Sequence, residues 1–154
     1  MLAGDLVGEL EPCPARGRAT GAEPLERIDD LALFTGRGED QPRRAVRQGA
    51  PVARLIVDPN ESWDQRLVEA MQPLLVELKV DLLGQPVPAG ADQWLQDFTP
   101  LVPICADESV HVAADLDVIA RRYQVVNVKL DKSGGLTAAL ELAQAARARG
   151  LGLM

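Results

Sequence analysis

One histidine and two cysteines among 154 residues are too few for the common zinc arrangements, and the differing contexts of the two cysteines argue against a disulfide between them in a reducing compartment. Cys13 lies in a Pro- and Gly-rich stretch, and Cys105, in an apolar run, reads as a small buried apolar residue. His111 reads as a loop or helix-start residue. No apolar run approaches the roughly 18 to 20 residues that cross a membrane. The N-terminus, Met1-Leu-Ala-Gly-Asp-Leu-Val-Gly-Glu9, lacks the basic start and apolar core of a signal peptide. A cytoplasmic protein without a membrane partner is therefore expected. A basic surplus is also missing: 16 Lys and Arg against 23 Asp and Glu leave a formal charge of −7. That balance argues against a nucleic-acid partner, which needs a cationic face, and reads as a solubility feature. No Gly-x-Gly-x-x-Gly or Walker-type loop follows any apolar run, which weakens dinucleotide and nucleotide readings.

What is present suits a globular domain: 47% of the residues are hydrophobic in a chain of 16.6 kDa, enough for one core. Residues 1–30 show neither a period of 2 nor one of 3.6 and read as a poorly ordered leader; residues 31–154 read as the folded part. Leu31-Ala-Leu-Phe-Thr35 reads as a strand and Gln41 to Gln48 as a short helix beginning near Pro42. Arg54-Leu-Ile-Val-Asp58 is a strand ending in a carboxylate. Asn60 or Ser62 can cap the helix that follows, whose apolar positions Trp63, Leu67, Ala70, Met71, Leu74, Leu75 and Leu78 are helically spaced. Pro73 within it predicts a kink or an early break.

Val80 to Gly84 reads as the next strand, Gln85-Pro-Val-Pro-Ala-Gly90 as a rigid loop and Asp92 to Phe98 as a short helix. A strand from Val102 to Ala106, a helix over Val112 to Tyr123, a strand from Val125 to Leu130 and a helix over Leu136 to Arg149 follow. Gly150 closes that helix, and Leu151 to Met154 look like a strand beginning. Strands apolar on both faces, alternating with amphipathic helices every 20 to 25 residues or so, indicate an α/β fold of repeated parallel βαβ units. An open doubly wound sheet and part of an eight-stranded barrel both fit. Functional side chains at successive strand ends favour the barrel, with about five to six βα units.

Those side chains are Asp58, Asp107 in Val102-Pro-Ile-Cys-Ala-Asp107-Glu-Ser109, and Lys129 in Val126-Asn-Val-Lys-Leu-Asp-Lys-Ser-Gly-Gly135. A carboxylate at one strand end and a lysine at the next suggest a metal site facing a proton-transfer group. Plainer readings stand beside this one: each Asp can cap the helix after its strand, and Lys129 can be a surface lysine. Alternation along Val126 to Leu130 puts Asn127 and Lys129 on one face and the valines on the other. Trp63 and Trp94 are most simply packing residues, and Asp131 and Lys132 belong to a loop.

Taken in order, Leu55-Ile-Val-Asp58-Pro-Asn-Glu-Ser-Trp63, Gln85-Pro-Val-Pro-Ala-Gly90, Pro103-Ile-Cys-Ala-Asp107-Glu-Ser109 and Val126-Asn-Val-Lys129-Leu-Asp-Lys-Ser-Gly-Gly135 resemble the barrel domain of the enolase superfamily. Within it they look most like the dipeptide epimerases acting on L-Ala-D/L-Glu, over roughly residues 42–154. The resemblance implies a magnesium ion held by carboxylates on the third, fourth and fifth strands, stabilising an enediolate. It also implies two lysines moving a proton on opposite faces of a dipeptide or N-acyl amino acid. By that resemblance Asp58 and Asp107 are metal ligands and Lys129 is the sixth-strand acid/base.

Two of the family's positions are empty. Gly84 stands where the fourth-strand Glu belongs, and Leu31 to Thr35 stand where the family has Lys-x-Lys. Lys79 and Lys132 are the nearest substitutes for the second lysine, and neither sits where an inward-facing second-strand lysine would. A weakened Mg²⁺ site is expected. The chain also lacks the family's capping domain and stops as a seventh strand begins, so it resembles a fragment. A partial barrel has two unpaired edges, which a partner or a second copy of the chain would cover. Two functions follow: an impaired racemase or epimerase using Lys129, or a catalytically silent remnant.

Overall fold

The computed structural model describes residues 31–35 and 40–154, with side chains from residue 44 onward; the leader expected over residues 1–30 lies outside them. The chain alternates strands and helices: β1 (Leu31–Thr35), α1 (Asp40–Gly49), β2 (Arg54–Asp58), α2 (Gln65–Glu77), β3 (Val80–Leu83), β4 (Cys105–Ala106), α3 (Leu116–Ile119), β5 (Val125–Val126), α4 (Leu130–Ser133), α5 (Leu136–Ala148) and β6 (Gly152–Leu153). Short 3-10 turns cover Gln93–Asp97 and Ala113–Asp115.

Among the described residues every strand pairing is parallel, in the orders β1-β2-β3 and β4-β5-β6. A parallel bridge between Leu83 and Ile104, with the Leu83 N–H donating to the Pro103 carbonyl at 2.9 Å, joins the two sets. The six strands thus follow one another in chain order without the reversal that defines a doubly wound sheet. One large core lies between the strands and the helices: Leu55, Val57, Leu83, Ile104, Ala106 and Val126 meet Val68, Leu75, Leu116 and Leu142. Burying each such Leu or Val contributes about 1.5–3 kcal/mol.

Several elements differ from expectation for identifiable reasons. The α2 cap is Asp64, whose carboxylate accepts from the Leu67 N–H at 2.8 Å, and neither Asn60 nor Ser62. Asn60 and Glu61 take left-handed φ values of 50° and 62°, so the chain is still turning there and the helix starts later. The helix also runs through Pro73. Pro73 is exposed, so water can satisfy the carbonyl one turn earlier, at the equally exposed Glu69.

The helix expected over 112–123 is only a 3-10 turn and one α-helical turn. Tyr123 at its end is drawn inward, 2% exposed, by hydrogen bonds from its hydroxyl to a buried polar cluster. His111 lies in the turn that Asp115 closes by accepting from the His111 and Val112 N–H groups. The strand expected to reach Leu130 pairs only as far as Val128, whose N–H donates to the Met154 carbonyl at 3.0 Å, and Leu130 instead opens α4. Gly150, at φ 76°, closes α5, and Leu151 donates back to the Ala146 carbonyl.

Candidate active site at the strand ends

Successive side chains on a strand point to opposite faces. Ile56, Leu82, Cys105 and Val125 form a buried cluster separate from the main core, so β2 to β5 each send one residue to the face the helices do not cover. Two residues further along, the same face receives Asp58, Gly84, Asp107 and Asn127. The register agrees: Ile56 pairs with Leu82 and Cys105 with Val125, and the ladder continues through hydrogen bonds from Gly84 to the Val57 carbonyl and from Asn127 to the Ala106 carbonyl. On β1, Thr35 stands opposite Asp58.

Asp107, 5% exposed, is the centre of the site. The Lys129 ammonium lies 2.5 Å from Oδ2, which also accepts from the Asn127 amide at 2.9 Å. The Lys132 ammonium lies 2.5 Å from Oδ1 and 3.0 Å from Glu108 Oε1. Lys129 reaches this position from extended backbone immediately before α4. Lys132 therefore belongs with the site and not merely to a loop. The turn of α4 brings positions three apart to one side, a relation visible only once Leu130–Ser133 is recognised as helical.

Asp58 is held more loosely, its Oδ1 accepting from the Asn60 N–H at 2.9 Å. A Cβ on Gly84 would stand 2.8 Å from the Asp58 carboxyl, so the carboxyl occupies the space a side chain at 84 would enter. Burial, the largest influence on Asp58, pushes its pKa up, and the charges of Asp107 and Glu108 add to this. Burial also acts upward on Asp107, but hydrogen bonds from Lys129, Lys132 and Asn127 outweigh it and hold that carboxyl below its ordinary range. Burial opposes the charge on Lys132, yet Asp107 and Glu108 win, leaving it a fixed cation at neutral pH. Burial, then the charges of Asp107 and Asp58, push the Cys105 thiol well up, which suits an inert packing residue.

Behind Asp107 lies a polar cluster that residue patterns do not reveal. Gln85, fully buried, accepts from the Asp107 N–H at 2.8 Å and donates to the Val87 carbonyl, Ser109 Oγ and Tyr123 Oη. The Tyr123 hydroxyl donates at 2.7 Å to the buried Asp92 carboxylate, which also pairs with Arg122 at 2.9 Å. Asp92 thus serves this cluster and makes no side-chain cap for the 3-10 turn. Trp63 is core, and Trp94 packs on Phe98 with ring centroids 5.4 Å apart. A depression of about 550 Å³ is lined by Glu61, Trp63, Arg66, Leu67 and Pro88, and none of Asp58, Asp107, Lys129 or Lys132 borders it. Among the described residues no group of three or more His, Cys, Asp or Glu can hold a metal ion, and no helix is long and apolar enough to cross a membrane.

The parallel α/β arrangement thus brings the Asp58 and Asp107 carboxylates and the Lys129 and Lys132 ammonium groups to one end of its strands. Comparison with known proteins gives the family: residues 35–154 match the family model described as Enolase C-terminal domain-like, and the chain belongs to that family. It is 51% identical over 110 residues to the L-Ala-D/L-Glu epimerase of Escherichia coli (strain K12), an alignment covering 71% of this chain and 34% of the relative. It is 48% identical over 130 residues to the N-acetyl-D-glutamate racemase of a Pseudoalteromonas species, covering 84% and 38%. Among solved structures, an enolase family member from Agrobacterium tumefaciens with homology to dipeptide epimerases, determined with sodium and L-Ala-L-Glu bound, superposes with a TM-score of 0.77. That match has 43% identity and covers 81% of this chain and 39% of the other. The chain spans 34% and 38% of the length of these two curated relatives.

Proposed function

We propose that the chain is an arc of a (β/α) barrel of the dipeptide epimerase and amino-acid racemase type. In this reading it handles a proton on the carbon beside the carboxylate of a dipeptide or N-acyl amino acid. The observation that carries the reading is the Lys129 ammonium 2.5 Å from Asp107, on the strand face the helices leave uncovered. Lys129 is the acid/base, and Asp58 and Asp107 are the inherited metal-ligand positions.

The residues present do not fit a resident Mg²⁺, which needs several hard oxygen donors in near-octahedral order. Gly84 offers none, and both Asp107 oxygens are already engaged by ammonium groups. The reading is therefore of an impaired isomerase: Lys129 takes and returns a proton on one face of the substrate, and no partner lysine at residues 31–35 serves the other.

Incubating the protein with L-Ala-L-Glu in D₂O and following the α-protons by NMR tests this. Slow deuterium entry without inversion is expected, falling by about 100-fold or more in Lys129→Ala. Equal exchange in both proteins removes the reading. Gly84, which brings no carboxylate to stand beside Asp58, favours a second reading as a silent member of the family; its mark is a well-folded protein with no exchange in either form.

A further inference from the structure

We propose that Lys132 is the built-in counter-cation of this site, a positioning residue that fixes Asp107 and occupies the approach to Oδ1 that a divalent ion would need. The ammonium is 2.5 Å from Asp107 Oδ1 and 3.0 Å from Glu108 Oε1. The other Asp107 oxygen is taken by Lys129 and Asn127, so an arriving cation meets an ammonium group at each oxygen and is repelled by both. Among the described residues Lys132 is the only hydrogen-bonding side-chain partner of Glu108, whose Oε2 is buried with no partner at all.

The backbone holds this arrangement in place. The Ser133 hydroxyl donates to the Lys129 carbonyl at 2.9 Å, and Gly134 and Gly135, at φ 82° and 109°, end α4 directly after Ser133. A residue with a Cβ would be strained at either glycine, so the turn presenting Lys132 is specified by its exit. Charge points the same way. Asp58, Asp107 and Glu108 face Lys129 and Lys132, leaving one uncompensated negative charge. A divalent ion added to that set reverses the sign, whereas without Lys132 the same ion balances it. A buried carboxylate that loses its partner demands another cation.

This inference deepens the proposed function, since it concerns the same site, but it is read by ion binding and stands or falls separately from proton exchange. Mn²⁺, a paramagnetic stand-in for Mg²⁺, is titrated by electron paramagnetic resonance into the wild-type chain, Lys132→Met and Lys132→Arg, with thermal unfolding followed in Mn²⁺ and in EDTA. Lys132→Met is expected to bind Mn²⁺ roughly tenfold or more tightly than wild type and to lose thermal stability in EDTA that Mn²⁺ restores. Lys132→Arg, which keeps the charge, is expected to behave as wild type. Equal or weaker Mn²⁺ binding by Lys132→Met, or equal stability of the two proteins in EDTA, overturns the proposal. Should Lys132→Met fold under neither condition, Lys132→Gln takes its place in both measurements: tighter Mn²⁺ binding supports the proposal, and equal or weaker binding overturns it.

Discussion

The two ends of the parallel ladder carry unequal shares of the site. On the β4–β6 side, Asp107 meets Lys129, Lys132 and Asn127, and its backbone N–H is tied to the buried Gln85 amide. On the β1–β3 side, Thr35, Asp58 and Gly84 bring one carboxylate, fastened by a single backbone N–H. Beside those rims the packing is alike: Val57 on β2 and Ala106 on β4 are each 0% exposed. The difference therefore lies in the side chains at the strand tips and not in the scaffold. The packing of a fold is independent of the side chains at its rim, because core and rim are different residues on the same strands.

The largest expected effect comes from cutting the support behind the better-wired side. Gln85→Ala removes an amide that satisfies the Asp107 N–H, Ser109 and Tyr123 in a fully buried setting. It is expected to cost about 2–4 kcal/mol in urea unfolding followed by tryptophan fluorescence. A loss below ~1 kcal/mol would mean that the cluster does not hold Asp107.

Gly84→Glu sharpens the comparison from the other side. Its Cβ meets the Asp58 carboxyl at 2.8 Å, so Asp58 must swing aside. Without metal the variant is expected to lose about 1 kcal/mol through like-charge crowding. Its Mn²⁺ affinity is expected to rise above wild type because a third carboxylate joins the set. Unchanged Mn²⁺ binding by calorimetry would show that position 84 does not face the site.

The smallest effect is a pH dependence on the β4–β6 side. Tyr123 is the sole tyrosine, and its pKa is raised from 10.0, chiefly by burial. Above pH 10 an unfolded chain releases the phenolic proton while the folded chain keeps it, so stability falls as pH rises from there. Phenolate absorbance is expected to appear together with unfolding and not before it. A reversible phenolate signal near pH 10 in the folded protein would contradict the burial of that hydroxyl.

Much of this is legible in the residues. The strand ends carrying Asp58 and Asp107 and the long helix closed by Gly150 follow from local pattern. The role of Lys132 is not legible, because one turn of helix, Leu130–Ser133, has too few residues to show a period. Nor is the Gln85–Tyr123–Asp92 cluster, because its members are 38 and 31 residues apart in the chain and no spacing rule links them.

What the amino-acid order determined by itself is the alternation of apolar strands with helices, since periods of 2 and 3.6 are properties of short segments. It also determined which rim positions can bear charge at all. Tertiary structure alone decided that Lys132 shares Asp107 with Lys129 and that the Asp58 carboxyl lies over Gly84. Which ammonium reaches which carboxylate depends on how separate strands and turns meet in space, and electrostatic partners are chosen there by distance and burial.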